Sequence, residues 1–292
     1  MGKNNERLKN KIMISRRKAI QSSLLGILGF SLPYSASSNV LINSDSNTAK
    51  PYPAYPSLDP EMVHSVVGKS HFDLDAVKKL VEQRPELAAA TWEWRFGDFE
   101  SAVGAASHVG RRDIVEYLLS KGARPNIFTY TVLGAYDVVK GMIAHTPGIQ
   151  KTLGPHGISL LDHAYAGLRM KDILNAKQID NSKKLIDYLE ELGDAGGITY
   201  EDVPEVDKPK YLGDYMYGDK ADEGFSIKLN MQKKLALGTI GEFGGSLYKI
   251  GENKFTYNGA PSVTVSFQWA NDKVKSLTVK TPDAEITAEK LS

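Results

Sequence analysis

The chain has 292 residues, with 36 Lys and Arg against 35 Asp and Glu, and no cysteine. The missing thiols exclude disulfides, thiolate metal sites and lipid attachment through cysteine. The first 38 residues hold seven of the bases and one acid, leaving 29 against 34, a net charge of −5 that offers no basic stripe to nucleic acid.

Lys3, Arg7, Lys9, Lys11, Arg16, Arg17 and Lys18 precede an apolar run, Ser22 to Leu32, which is too short to span a bilayer and leads into SASS. That order predicts a cleavable secretory signal over 1–38, cut near Ser37 or Ser38. The expectation is a periplasmic or otherwise exported bacterial protein, with no stable membrane insertion after cleavage. The segment SRRKAI (15–20) resembles the twin-arginine export motif, with Ala19 where that motif favours Phe. Residues 39–57, rich in Ser, Asn and Pro, predict a flexible linker.

From residue 58 to 197 the apolar positions recur at helical spacing. FDLDAVKKLVEQRPEL (72–87) carries Val77, Leu80 and Val81 on one stripe, with Asp75 placed as the cap. In 101–126, Ala102, Ala105 and Ala106 give a helix with a small-residue face, and Gly110 stops it at positive φ. Asp113 is placed to cap a second helix bearing Ile114, Val115, Leu118 and Leu119, and Gly122 closes it. GAYDVVKGMIAHTPGI (134–149) repeats that pattern. GISLLDHA opens a fourth unit, whose second helix is predicted over Lys183 to Gly193, behind an insertion at 169–181.

These units resemble ankyrin repeats. Ser101, Val103 and Ala106 stand at the family's Thr, Leu and Ala; Gly110, Leu118, Leu119, Gly122, Ala123 and Asn126 match it directly; Ala102 and Gly104 replace its Pro and His. Asp75 and Asp113 lie 38 residues apart and Asp113 and Asp137 only 24, against a standard period of about 33. One unit is lengthened and one has lost its finger loop. The resemblance implies an α-helical ankyrin-type solenoid of about four repeats over 58–197, which grips a protein partner through its concave face.

TWEWRFGDFE (91–100) sets Trp92, Trp94, Arg95, Phe96 and Phe99 in the loop between the first two units. Trp, Arg and Phe in such a finger are the residue types that anchor interfaces, and rings of this kind also plug a repeat junction. With Arg111 and Arg112, at an inter-helix corner that solvation alone would explain, they are the candidate protein-binding residues.

After Gly196-Gly197 the period becomes two. Strands are predicted near YLGDYMYG, FSIKLNMQ, KLALGTIG, GSLYKIG, KFTYNG, VTVSFQWA, KVKSLTVK and EITAEKL, with turns between them. Eight short strands over 205–292 suit a small antiparallel β-barrel or sandwich, making the fold class α+β by domain. The segment resembles the small β domains that follow penicillin-binding-like hydrolases, a likeness that carries no catalytic residues. Its aromatics Tyr215, Tyr217, Phe225, Phe255, Tyr257 and Trp269 either line a cavity or fill a core.

Catalytic patterns are missing. HExxH, CxxC, GxSxG, P-loop and EF-hand spacings do not occur. His64 and His71 lie seven apart, which, allowing for the intervening Gly68, turns them toward nearly opposite faces. Asp73 and Asp75 read as helix-cap residues, and Ser159, Asp162 and His163 fall in one helix start, where turn bonding explains them. The acidic turn DKADEG (219–224) reads as a hairpin tip. The sequence therefore predicts a non-catalytic protein-binding module with no cofactor, no metal ligands and no nucleic-acid partner. The alternatives are a ligand-binding or enzyme-accessory β domain, or a structural envelope protein.

Overall fold

The computed structural model describes residues 57–292 other than 231, 232, 243, 258 and 292. The expected signal peptide and nearly all of the linker lie outside the described residues. The described chain is a set of paired helices followed by a closed β-barrel.

Eight helices form four pairs: α1 (Pro60–Lys69) with α2 (Leu74–Gln83), α3 (Ala102–Val109) with α4 (Arg112–Ser120), α5 (Ile127–Val132) with α6 (Tyr136–His145), and α7 (Leu160–Ala166) with α8 (Ala176–Leu192). The first helices pack in succession, α1 on α3, α3 on α5 and α5 on α7, while α2 packs on α4 and α6 on α8. Val66, Val77, Val81, Ala105, Ala106, Ile114 and Leu118 bury between the first two pairs, and Val139, Leu160, Leu185 and Leu189 between the last two.

Short helices need their ends satisfied. Ser101 caps α3 by accepting from Gly104 N at 3.0 Å, and Asn126 caps α5 in a reciprocal box with Thr129. Gly110, at φ 74°, ends α3, and a Cβ there would strike the carbonyl of Ala166 on α7.

Three sequence expectations need correction. Asp73, not Asp75, caps α2, accepting from Ala76 N at 3.0 Å. Arg111 occupies the cap of α4, and Asp113 sits in its first turn, because the Asp113 carboxylate is drawn onto the Arg111 guanidinium at 2.9 and 2.6 Å. Helix α8 begins at Ala176 rather than Lys183, since Asn175 and Gln178 form a capping box that starts it early.

A hairpin, β1 (Thr91–Glu93) and β2 (Phe99–Ser101), interrupts the helices between α2 and α3, pairing Trp92 with Glu100. The short helix α9 (Lys208–Tyr211) leads into the barrel. Its first residue, Lys208, is buried, with Nζ donating to Asp202 Oδ2, Glu205 Oε1 and the Lys233 carbonyl at 2.9, 2.7 and 2.7 Å.

The eight expected strands are all present: β3 (Gly213–Met216), β4 (Gly224–Leu229), β5 (Leu235–Thr239), β6 (Gly245–Gly251), β7 (Lys254–Tyr257), β8 (Ala260–Ala270), β9 (Lys273–Lys280) and β10 (Glu285–Lys290). They run as an antiparallel meander that closes where β10 pairs with β3. Eight strands leave an interior that side chains alone can fill. Tyr215, Phe225, Phe255, Tyr257, Phe267 and Leu277 are buried there, with ring centroids 5.5 Å apart for Phe255 and Phe267 and 4.9 Å for Tyr211 and Phe267. These rings form a packed core; Tyr217 and Trp269 lie at its margin, partly exposed.

Candidate metal centre

The hairpin has two faces, as period-two geometry requires. Phe99 stands outward and is 64% exposed. Glu100 turns inward, its side chain fully buried, in company with Trp92 and Trp94. Gly104, in the first turn of α3, packs against this group: a Cβ there would meet Glu100 Cγ at 3.9 Å and Pro155 Cγ at 3.7 Å, ordinary contacts, and press only on Ser101 Oγ at 3.0 Å.

Three histidines from three other segments converge on that carboxylate. His71 lies in the α1–α2 turn, His108 in the last turn of α3, and His156 in the turn 155–157 ahead of α7. Their Nε2 atoms stand 3.4, 3.0 and 3.3 Å from the Glu100 oxygens. His108 Nε2 and Glu100 Oε1 are both buried and face each other at 3.0 Å. Trp94 Nε1 donates to Glu100 Oε2 at 2.7 Å.

The far side of two rings is held as well. His71 Nδ1 is 3.0 Å from the Gly68 carbonyl, which can only accept, so Nδ1 carries a proton and donates it there. His156 Nδ1 bonds Asp98 Oδ2 at 2.7 Å, and its backbone N–H donates to Asp98 Oδ1 at 2.9 Å. Burial works against the charge on Glu100, but His108 and His156 beside it outweigh that and hold its carboxyl well below the ordinary range. Burial likewise opposes protonation of His156, and Asp98 and Glu100 reverse the effect, raising its pKa to about 10. Burial lowers the pKa of His108 against the pull of Glu100.

One ligand atom from each of His71, Glu100, His108 and His156 falls within 4.8 Å of all the others. Bonds of about 2.0–2.1 Å from zinc to nitrogen or oxygen place tetrahedral ligands about 3.3–3.4 Å apart. His156 stands at that edge length from Oε1, at 3.3 Å, His108 is slightly nearer the same oxygen at 3.0 Å, and His71 is at 3.4 Å from the other oxygen, Oε2. Imidazole and carboxylate together suit zinc and its transition-metal neighbours.

The expected protein-binding residues distribute differently. Trp92 and Trp94 pack on the core between the first helix pairs, with the His64 ring 5.0 and 5.3 Å away. Arg95 Nη2 reaches Glu242 Oε2 of the barrel at 3.7 Å, and the Phe96 ring lies 4.9 Å from Tyr257. Arg111 and Arg112 are not a solvated corner. Arg111 grips Asp113 and donates to the Phe72 carbonyl, while Arg112, buried, bonds Glu116 at 2.7 Å and the Leu133 carbonyl at 3.2 Å. Phe99 alone of the seven stands well clear of the protein. As expected, Ser159, Asp162 and His163 are bound up in turn bonding: Ser159 caps α7, and its carbonyl accepts from His163 Nδ1 at 2.7 Å.

Sequence reasoning missed the centre because its four residues are spread over 86 positions with no motif spacing. One signal was available: His156 sits in Gly-Pro-His-Gly, where no apolar stripe accounts for an imidazole. No protein-family model matches this chain, and neither a curated protein nor a solved structure does.

Proposed function

We propose that the protein binds a divalent transition metal, with zinc the best match, through His71, Glu100, His108 and His156, inside an ankyrin-type helical array. The reading is carried by one observation: three Nε2 atoms converge on a single buried carboxylate, with the opposite nitrogens of His71 and His156 fixed by hydrogen bonds. Four protein ligands make a closed, structural type of site, which agrees with a non-catalytic role. The ankyrin-type reading rests on the paired helices, the succession of first helices and the Gly110 stop. Export rests on the sequence of residues 1–38.

The test is uptake by the purified chain. Zinc should bind at one equivalent by calorimetry and elemental analysis, and Co(II) should give the visible bands of a tetrahedral site. Glu100→Gln and His108→Asn should each weaken uptake at least tenfold, since the first keeps shape while losing the charge and the second removes the imidazole ligand. Wild-type chain that stays metal-free in excess zinc would end the proposal.

A second reading, as a protein-binding module, is favoured by Phe72 and Phe99, which are 61% and 64% exposed. On that reading Phe99, rather than the docked Phe96 or the packed Trp94, is the anchor. Phe99→Ala should then weaken an identified partner's binding by about 2 kcal/mol and leave the melting temperature alone.

A further inference from the structure

The helical half and the barrel meet through two loops, and each loop leads into a ligand of the centre. The hairpin tip supplies Arg95 and Phe96 to Glu242 and Tyr257 of the barrel, and the strand leaving that tip carries Glu100. The turn 155–157 carries His156. Its next residue, Gly157, brings its Cα to 2.6 Å from where a Cβ on Gly259, just before β8, would stand. Asp98 joins the two loops, taking both the backbone N–H and the ring of His156.

Both loops are held in backbone conformations that side chains disfavour. Phe96 has φ 57° and His156 has φ 60°, each in the left-handed region, which costs about 1–2 kcal/mol for a residue with a Cβ. Such conformations persist only where their surroundings enforce them. At Phe96 the barrel ring supplies part of that enforcement, and at His156 Asp98 and Glu100 do.

We infer that metal at this centre is the clamp that seats the barrel on the helical half. The inference rests on the metal-binding reading. A metal drawing Glu100 and His156 together fixes the hairpin tip and the turn 155–157 in the one shape that fits Tyr257, Glu242 and Gly259. Without it the tip and turn keep the Asp98 bonds, the His156–Glu100 pair and the Arg95 and Phe96 contacts, and the two halves reorient more freely. By reciprocity, whatever free energy the metal gives to docking, docking returns to metal affinity.

The chain has no cysteine, so a spin-label pair can be placed without background. Labels on Arg124→Cys in the helical half and Lys275→Cys in the barrel, both exposed positions, report the separation in the full chain by pulsed electron resonance. The metal probe is Zn(II) alone. With zinc, one narrow distance is expected; after chelation, a distribution at least twice as wide, restored by returning zinc. His108→Asn should give the wide distribution with or without zinc. Arg95→Ala with Phe96→Ser should stay wide yet still take up one zinc, at several-fold lower affinity. Identical narrow distributions in zinc-loaded and stripped protein, alongside one tight site by calorimetry, would overturn the clamp and leave metal binding standing. Absence of zinc uptake by the labelled parent would overturn both.

Discussion

Trp94 donates its indole N–H to Glu100 Oε2 across 2.7 Å, so a ring at the end of one finger strand fixes the carboxylate carried by the other. The bond satisfies one oxygen of a buried anion, and bonds to charged groups are worth about 1.5–3 kcal/mol. Trp94→Phe deletes the donor and also one ring of the packed indole. It should lower stability by at least that amount in urea melts, and an unchanged midpoint would show that Glu100 finds a substitute donor and the packing closes.

Metal removal should cost the helical half more than the barrel. Zinc at a hundred times its dissociation constant stabilises the state that binds it by about 2.7 kcal/mol. For a chain of this size that corresponds to a fall of about 5–10 °C on adding chelator. His108→Asn should melt at one temperature with or without zinc.

Acid should weaken the fold through His163. Burial lowers its pKa from 6.5 to about 4, against the Ser159 carbonyl that favours its charged form. Between those values the unfolded chain binds the proton and the folded chain does not. Stability is thus fully present above pH 6.5 and falls as pH drops toward 4, by about 3 kcal/mol at most. His163→Leu should flatten that part of the curve in metal-free protein; an unaltered slope would assign the loss to another group.

Two glycines with the same backbone sign should respond unequally. Gly110 and Gly122 have φ 74° and 90°, but a Cβ on Gly122 meets open space, whereas one on Gly110 meets the Ala166 backbone. Gly122→Ala should cost about 1–2 kcal/mol for conformation alone. Gly110→Ala adds a clash between α3 and α7 and should cost about 3 kcal/mol or more. Equal costs would mean that α7 yields freely.

The barrel strands were legible because alternation marks them directly: Phe225 and Ile227, or Val263, Val265 and Phe267, point inward in turn. Barrel closure was not, since it rests on Lys290 pairing with Tyr215, and alternation is the same in a sandwich. Helix α8 was read short because its first turns, AKQIDNS, are polar and only the Asn175–Gln178 box reveals their start. The hairpin strands, three residues each, are too short for any period to register. The centre escaped because convergence of the α1–α2 turn, β2, α3 and the 155–157 turn is a product of the tertiary fold. His71 and His156 share no local pattern, only a common carboxylate.

Lys208 has three N–H bonds to give and three acceptors that take them. An ammonium so saturated and so buried must give up a proton, and one of the three bonds with it, and be reached by the reagent before its nitrogen can attack anything. Acylating reagents that modify the surface lysines within minutes should pass it by. Its eventual modification would time the opening of the segment that leads from the helices into the barrel, making one amine a built-in clock for that local event.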